Sequence, residues 1–159
     1  MSSLIGLVLG GAIPLPLALT LFVSKVDSIL GQHRWLFVVL PGIGPRLDRL
    51  YFSWARLLLG GAAWRNGAVA SYELGWFLSG TGRAVLDLAR RRAHLWLLPA
   101  GDFYRREFIR SSLAGGNTWA ACGLQLMVEW GVVDIVEWPG GLDYKAYCRY
   151  ARSHILSRS

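Results

Sequence analysis

The first 24 residues, MSSLIGLVLGGAIPLPLALTLFVS, contain no charged side chain. A run of this length fits few places: a cleaved leader, a membrane span, or a buried hairpin or helix of a core. A leader needs a basic region ahead of its apolar part. Here the first basic residue, Lys25, follows the run, and no A-x-A-like cleavage site lies near Ser24, so an uncleaved segment is expected. A span needs about 20 apolar residues, and Ser3 to Val23 supplies 21. Its twelve strongly apolar side chains sum to roughly −4 to −7 kcal/mol towards insertion on a translocon scale. Pro14 and Pro16 each remove a backbone donor, which a transmembrane helix tolerates with a kink. The expectation is a Pro-kinked transmembrane helix over about residues 3–30. A second division is also open: Pro16 sits in the first turn of a helix ending at Gly31, with Leu19, Phe22, Val26 and Ile29 on one face. Gly6 and Gly10 form a G-x-x-x-G pair, a spacing that lets helices approach closely in lipid.

The remainder is basic and rich in aromatic residues. The chain carries a formal net charge of +7, with 15 Arg but only 2 Lys, and eight Trp. Hydrophobic residues make up 53% and charged ones 17%, below the charged share of about 25% usual in soluble domains. Guanidinium groups pair bidentately with carboxylates and phosphates, and Trp favours membrane interfaces and interface centres. Residues 83–110 hold seven Arg against Asp87, Asp102 and Glu107. Arg90, Arg91, Arg92, Trp96, Arg105 and Arg106 are therefore the candidate residues for anionic lipid, such as cardiolipin, or for an acidic partner surface. Basic residues concentrated after the apolar run place that part on the positive side of a membrane.

Helical periodicity recurs beyond the opening run. Leu47, Leu50, Tyr51, Trp54, Leu57 and Leu58 define one amphipathic helix between Arg46 and Gly60. Residues 66–82 read as another, stopped by Gly80-Thr81-Gly82. That G-x-G lacks the third glycine of a dinucleotide fingerprint. Arg83 to Leu98 is amphipathic, with Leu86, Ala89, Ala93, Trp96 and Leu97 inward and Asp87, Arg90, Arg91 and His94 outward; Pro99 ends it. Asp102 is placed to cap the next helix. Residues 111–128 are again free of charge but hold few strong insertion drivers. They read as a helix packed among protein neighbours, with Ala120, Ala121 and Gly123 allowing close contact, and a second span as the alternative. Val132 to Val136 reads as a short strand, and Tyr144 to Leu156 as a last helix.

The expected fold is thus mainly α: a transmembrane helix and its exit in residues 1–30, then an Arg-rich, membrane-associated helical body in 31–159 that ends in a short strand and turn region. His33, His94 and His154 stand far apart, and neither a metal-ligand spacing nor a nucleophile elbow is present. No catalytic residue, metal or cofactor is assigned. Cys122 and Cys148 are read as two thiols, with a bridge as the alternative. These features point to a non-catalytic accessory subunit of a large energy-transducing membrane complex, with the mitochondrial respiratory chain or ATP synthase as the expected setting and the body on the matrix side. Its partners would be other subunits and anionic lipid, without nucleic acid. A membrane-attached enzyme or transporter component is the alternative. An RNA-associated protein of an organellar ribosome is a more distant one.

Overall fold

The apolar opening run is divided by its glycines and prolines. In the computed structural model, which describes residues 6, 7, 10–60 and 66–158, Gly11 adopts φ +72°. The Ala12 and Ile13 amides both donate to the Leu7 carbonyl, at 2.9 and 3.3 Å. A left-handed glycine with such a back-bonded amide is how a helix stops. Pro14 is extended and Pro16 lies in the first turn of α1 (Leu15–Leu21), where a missing N–H costs nothing. α1 runs on through a π-helical stretch, Phe22–Asp27, into a last turn, Ser28–Gly31. The prolines therefore begin a helix instead of kinking one. The expected span over 3–30 is corrected accordingly: among the described residues no helix is long and apolar enough to cross a membrane. The second division, from Pro16 to Gly31, matches the structure, except that Ile29 faces outward at 61% exposure.

Among the described residues seven further helices follow: α2 (Arg34–Phe37), α3 (Ile43–Leu58), α4 (Gly67–Glu73), α5 (Gly80–Leu97), α6 (Phe103–Ala114), α7 (Trp119–Glu129) and α8 (Tyr144–Leu156). Side-chain oxygens of Asn66, Ser79, Asp102, Thr118 and Asp143 accept amide hydrogen bonds at the starts of α4 to α8. Each cap contributes about 1 kcal/mol. α5 is the hub and packs against α2, α3, α6, α7 and α8. Its buried residues include Val85, Leu88, Arg92 and Leu95 as well as Leu86, Ala89 and Ala93 of the expected inward face, whereas Trp96 and Leu97 are only partly buried. The principal core joins α5 to α8 and α7 through Leu88, Met127, Tyr147 and Ile155. A second core lies between α1, α3 and α4, where Phe22 stacks on Trp76 at 4.6 Å between ring centroids and meets Tyr51 and Trp54 edge-on. α1 thus lies along the body and joins its packing.

Three other expectations change. Gly80-Thr81-Gly82 opens α5 and does not close the preceding helix, which instead ends at Gly75 with φ +71°. The charge-free run 111–128 is interrupted at Gly115 and Gly116, both at φ +64°. Only its second part packs inward, with Ala120 and Gly123 buried, while Leu113 stays exposed. Val132 to Val136 forms no strand; among the described residues there is none. Two tyrosines of α8 take the place of a pairing strand: Val133 N–H donates to the Tyr150 hydroxyl at 3.1 Å, and the Tyr147 hydroxyl donates to the Val133 carbonyl at 3.0 Å.

Candidate functional site

Three consecutive arginines cannot share one face of a helix, because successive residues are turned by about 100°. On α5 they divide. Arg92 points into the core and ion-pairs with Asp134 through Nη2, while its Nη1 donates to the Ala120 carbonyl at 2.7 Å. Its guanidinium also lies over the Phe108 ring, 4.9 Å from the centroid. Arg92 is only 1% exposed, so its expected role at a lipid surface is corrected: it fastens α5 to the loop after α7. Arg91 is exposed and lies over Trp35 at 5.4 Å. Arg90 is half-exposed and faces Asp87 at 3.7 Å.

Arg105 and Arg106 of α6 also separate. Arg105 lies over Trp96 at 5.2 Å and donates to the Leu98 carbonyl at 2.9 Å, tying α6 to the end of α5. Arg106 is exposed. The six residues expected to act together are thus spread over the core, the α5–α6 corner and two surfaces. Gly6 and Gly10 are exposed, and the Gly10 amide donates to the Gly6 carbonyl at 2.9 Å. A Cβ on Gly6 would meet nothing within 4 Å.

A different set of charges converges. Arg34, at the start of α2, reaches three elements. Its Nη1 donates to Asp27 Oδ1 of α1 and to the Tyr51 hydroxyl of α3, both at 2.6 Å, and its Nε donates to Asp87 of α5. Tyr51 in turn donates to Asp27, and Arg83 approaches the other Asp27 oxygen at 3.3 Å. The Arg83 guanidinium sits 5.2 Å from the Tyr51 ring centroid and 5.8 Å from that of Trp76. The π-helical stretch in α1 brings Asp27 to the same side as buried Phe22. Wide turns of this kind recur where a helix must re-aim side chains.

The two carboxylates of this lattice differ. Burial raises the Asp27 carboxyl, but the Tyr51 hydrogen bond and the Arg34 and Arg83 guanidiniums outweigh it and hold it below its ordinary value. Asp87 has no tyrosine donor, and burial wins over Arg34, so its carboxyl is raised. Burial and the neighbouring Asp27 push the Tyr51 hydroxyl up, keeping it a donor. Burial lowers the Arg34 guanidinium, yet Asp87, Tyr51 and Asp27 more than offset that.

One signal of this site is visible in the sequence. Asp27 and Arg34 are separated by two helical turns in a segment otherwise almost without charge, and isolated charges among apolar residues usually seek one another. Arg83, Asp87 and Tyr51 are joined to them only by the tertiary fold.

Above the lattice lies an open cleft of about 240 Å³ between α5 and α8, bordered by Arg83, Arg90 and Arg152. A second hollow of about 250 Å³ adjoins it, sharing Asp87 and Arg90 and adding Arg91, His94 and Tyr144. Beside α2, Leu36, Phe37, Leu40 and Pro41 line an apolar groove of about 560 Å³ with Asn117, Trp119 and Cys122. Cys122 and Cys148 are free thiols. Among the described residues no three His, Cys, Asp or Glu side chains gather as a metal site. Comparison with family models, curated proteins and solved structures finds no match to the chain.

Proposed function

We propose that the chain is a non-catalytic accessory subunit of a large membrane-embedded energy-transducing complex, of the respiratory-chain or ATP synthase kind, acting in assembly and subunit contact. The observation that carries this reading is the set of exposed apolar side chains on α1 and at the groove beside α2. Leu17, Val23, Ile29, Leu36, Phe37 and Leu40 are all exposed there. Isolated exposed apolar residues are ordinary, but a run of them marks a surface that another body covers. α1 packs one side on the aromatic core, and its outer side mixes the apolar Leu17, Val23 and Ile29 with Thr20, Ser24, Lys25 and Ser28. It takes over the role that the sequence alone would give to a span.

The charged residues support the same reading. The Arg34 lattice joins helices to each other, and the Arg92–Asp134 pair ties α5 to the loop after α7, which is the work of a scaffold. Mild detergent extraction, native gel separation and mass spectrometry of the band containing this chain test the proposal. Co-migration with subunits of an energy-transducing complex is expected. Migration alone near 17.6 kDa would overturn it.

A further inference from the structure

We propose that the paired hollows meeting at Arg90 form a binding site for a phosphate-bearing headgroup, with room for two phosphates. The argument begins with charge. Arg34, Arg83, Arg90, Arg91 and Arg152 line the two hollows against only two aspartates. Those aspartates are already engaged. Asp27 receives Arg34, Tyr51 and Arg83 on its two oxygens, and Asp87 receives Arg34 on one and faces Arg90 with the other. Arg91 and Arg152 form no ion pair among the described residues. Positive charge therefore remains at the rim, and an anion from outside is what neutralises it.

The donors suit phosphate. Guanidinium groups bind phosphate oxygens through two parallel N–H bonds. Arg83 is held rigid by its stack on Tyr51 and Trp76 and by a 3.2 Å bond from its Nε to the Leu78 carbonyl, so little entropy is lost on binding. Arg90 stands where the hollows join and reaches into both. The apolar surroundings suit an amphiphile. Leu78, Leu86 and Leu156 line the first hollow, and Phe77, 57% exposed, stands at its lip against the exposed ring of Tyr72. A lipid with two phosphates would set its headgroup on the arginines and its chains along Phe77. That choice of lipid over a soluble phosphate rests on the membrane reading above; the site itself does not.

The test uses the full chain, diluted out of mild detergent to below its micelle concentration so that vesicles stay intact. The probes are pyrophosphate, vesicles of phosphatidylcholine with cardiolipin, and vesicles of phosphatidylcholine alone. Arg90→Gln with Arg152→Gln removes two rim charges. Arg49→Gln with Arg110→Gln removes the same charge from exposed positions on α3 and α6. The expected result is preferential binding of cardiolipin vesicles, weakened about tenfold or more in the first variant relative to the second. Arg152→Glu alone is a further check, because Arg152 is exposed and its reversal leaves the lattice intact; it should weaken binding without lowering the melting temperature. Pyrophosphate binding that is lost in the same variant, without any vesicle preference, would uphold the site and assign it a soluble ligand, removing lipid from the account. Equal binding by the two double variants, or no binding of any probe by the wild type, would overturn the site while leaving co-migration with membrane subunits untouched.

Discussion

Arg92 is the largest side chain that is wholly enclosed. Its charge is tolerable only because Asp134 Oδ2, the Ala120 carbonyl and the Phe108 ring surround it. Removing one member of a buried pair strands the other, at a cost of about 3–5 kcal/mol. Arg92→Met is therefore expected to lower the unfolding free energy by that amount in urea titration. Asp134 already has one buried oxygen, Oδ1, without a hydrogen-bond partner, so the ion pair is not optimal. Adding Asp134→Leu to Arg92→Met should recover most of the loss. A double variant as unstable as the single one would mean that packing, not stranded charge, sets the cost.

Asp27 permits a test by pH. The folded protein holds its carboxyl below the ordinary 3.8, so it binds protons less readily folded than unfolded. Its stabilisation is complete above that ordinary value and is lost as pH falls through the lower folded value. Asp27→Asn keeps the shape but removes the charge. It should cost about 1.5–3 kcal/mol at pH 7, the range for hydrogen bonds to charged groups. The gap between variant and wild type should close as pH drops below 3.8. Asp87 moves in the opposite sense, because its raised carboxyl gains a proton sooner on acidification. A gap independent of pH would show that Asp27 acts through its shape alone.

Among the elements, helices were legible where local chemistry decides them. The bounds expected for α8 agree with the structure, and Asp102 caps α6 as its position ahead of an aromatic-rich segment implies. The opening run misled because insertion scales sum side chains and ignore where a glycine lets the backbone reverse. Gly11 does so here, and Pro14 and Pro16 then start a new helix. The strand expected at Val132 to Val136 failed for a tertiary reason, since tyrosines of α8 satisfy the Val133 backbone. The site was half legible: Arg90 and Arg91 are where a ligand can reach them, but Arg92 is not, and periodicity alone does not tell a core arginine with a distant aspartate from a surface one. Gly80 was read as a stop yet serves as a contact point. A Cβ there would lie 2.5 Å from the Leu47 carbonyl carbon and oxygen, and backbone does not yield as a side chain does. Gly80→Ala should thus destabilise by about 2–3 kcal/mol, near the top of the overpacking range. Gly123→Ala should cost less, because it meets the flexible tip of Leu88 at 3.1 Å. Thermal melts of the two variants check the order, and a reversed order would refute the close approach of α3 to α5.

For the whole molecule, the question is what the bare apolar surface does. The groove beside α2 continues into a second hollow of about 410 Å³ through Val39, Leu40, Pro41 and Cys122. Phe37 stands at its edge, half-exposed at 50%. Its side chain belongs to neither core cluster, so Phe37→Asp should change stability by no more than about 0.5 kcal/mol. In a docked interface, however, an aromatic residue at a groove is the kind of anchor that carries several kcal/mol of affinity. Placing a carboxylate there would bury a charge without a partner. The variant is expected to keep its melting temperature yet leave the high-mass band on a native gel and run as the free chain. The two readouts separate folding from assembly. Retention in the band would assign the contact to another face and leave α1, with Val23 and Ile29 exposed, as the next surface to change. Loss of the band together with a lower melting temperature would mean that Phe37 supports α2 itself, whose Arg34 anchors the ionic lattice. Assembly and the integrity of that lattice would then be one property of the fold.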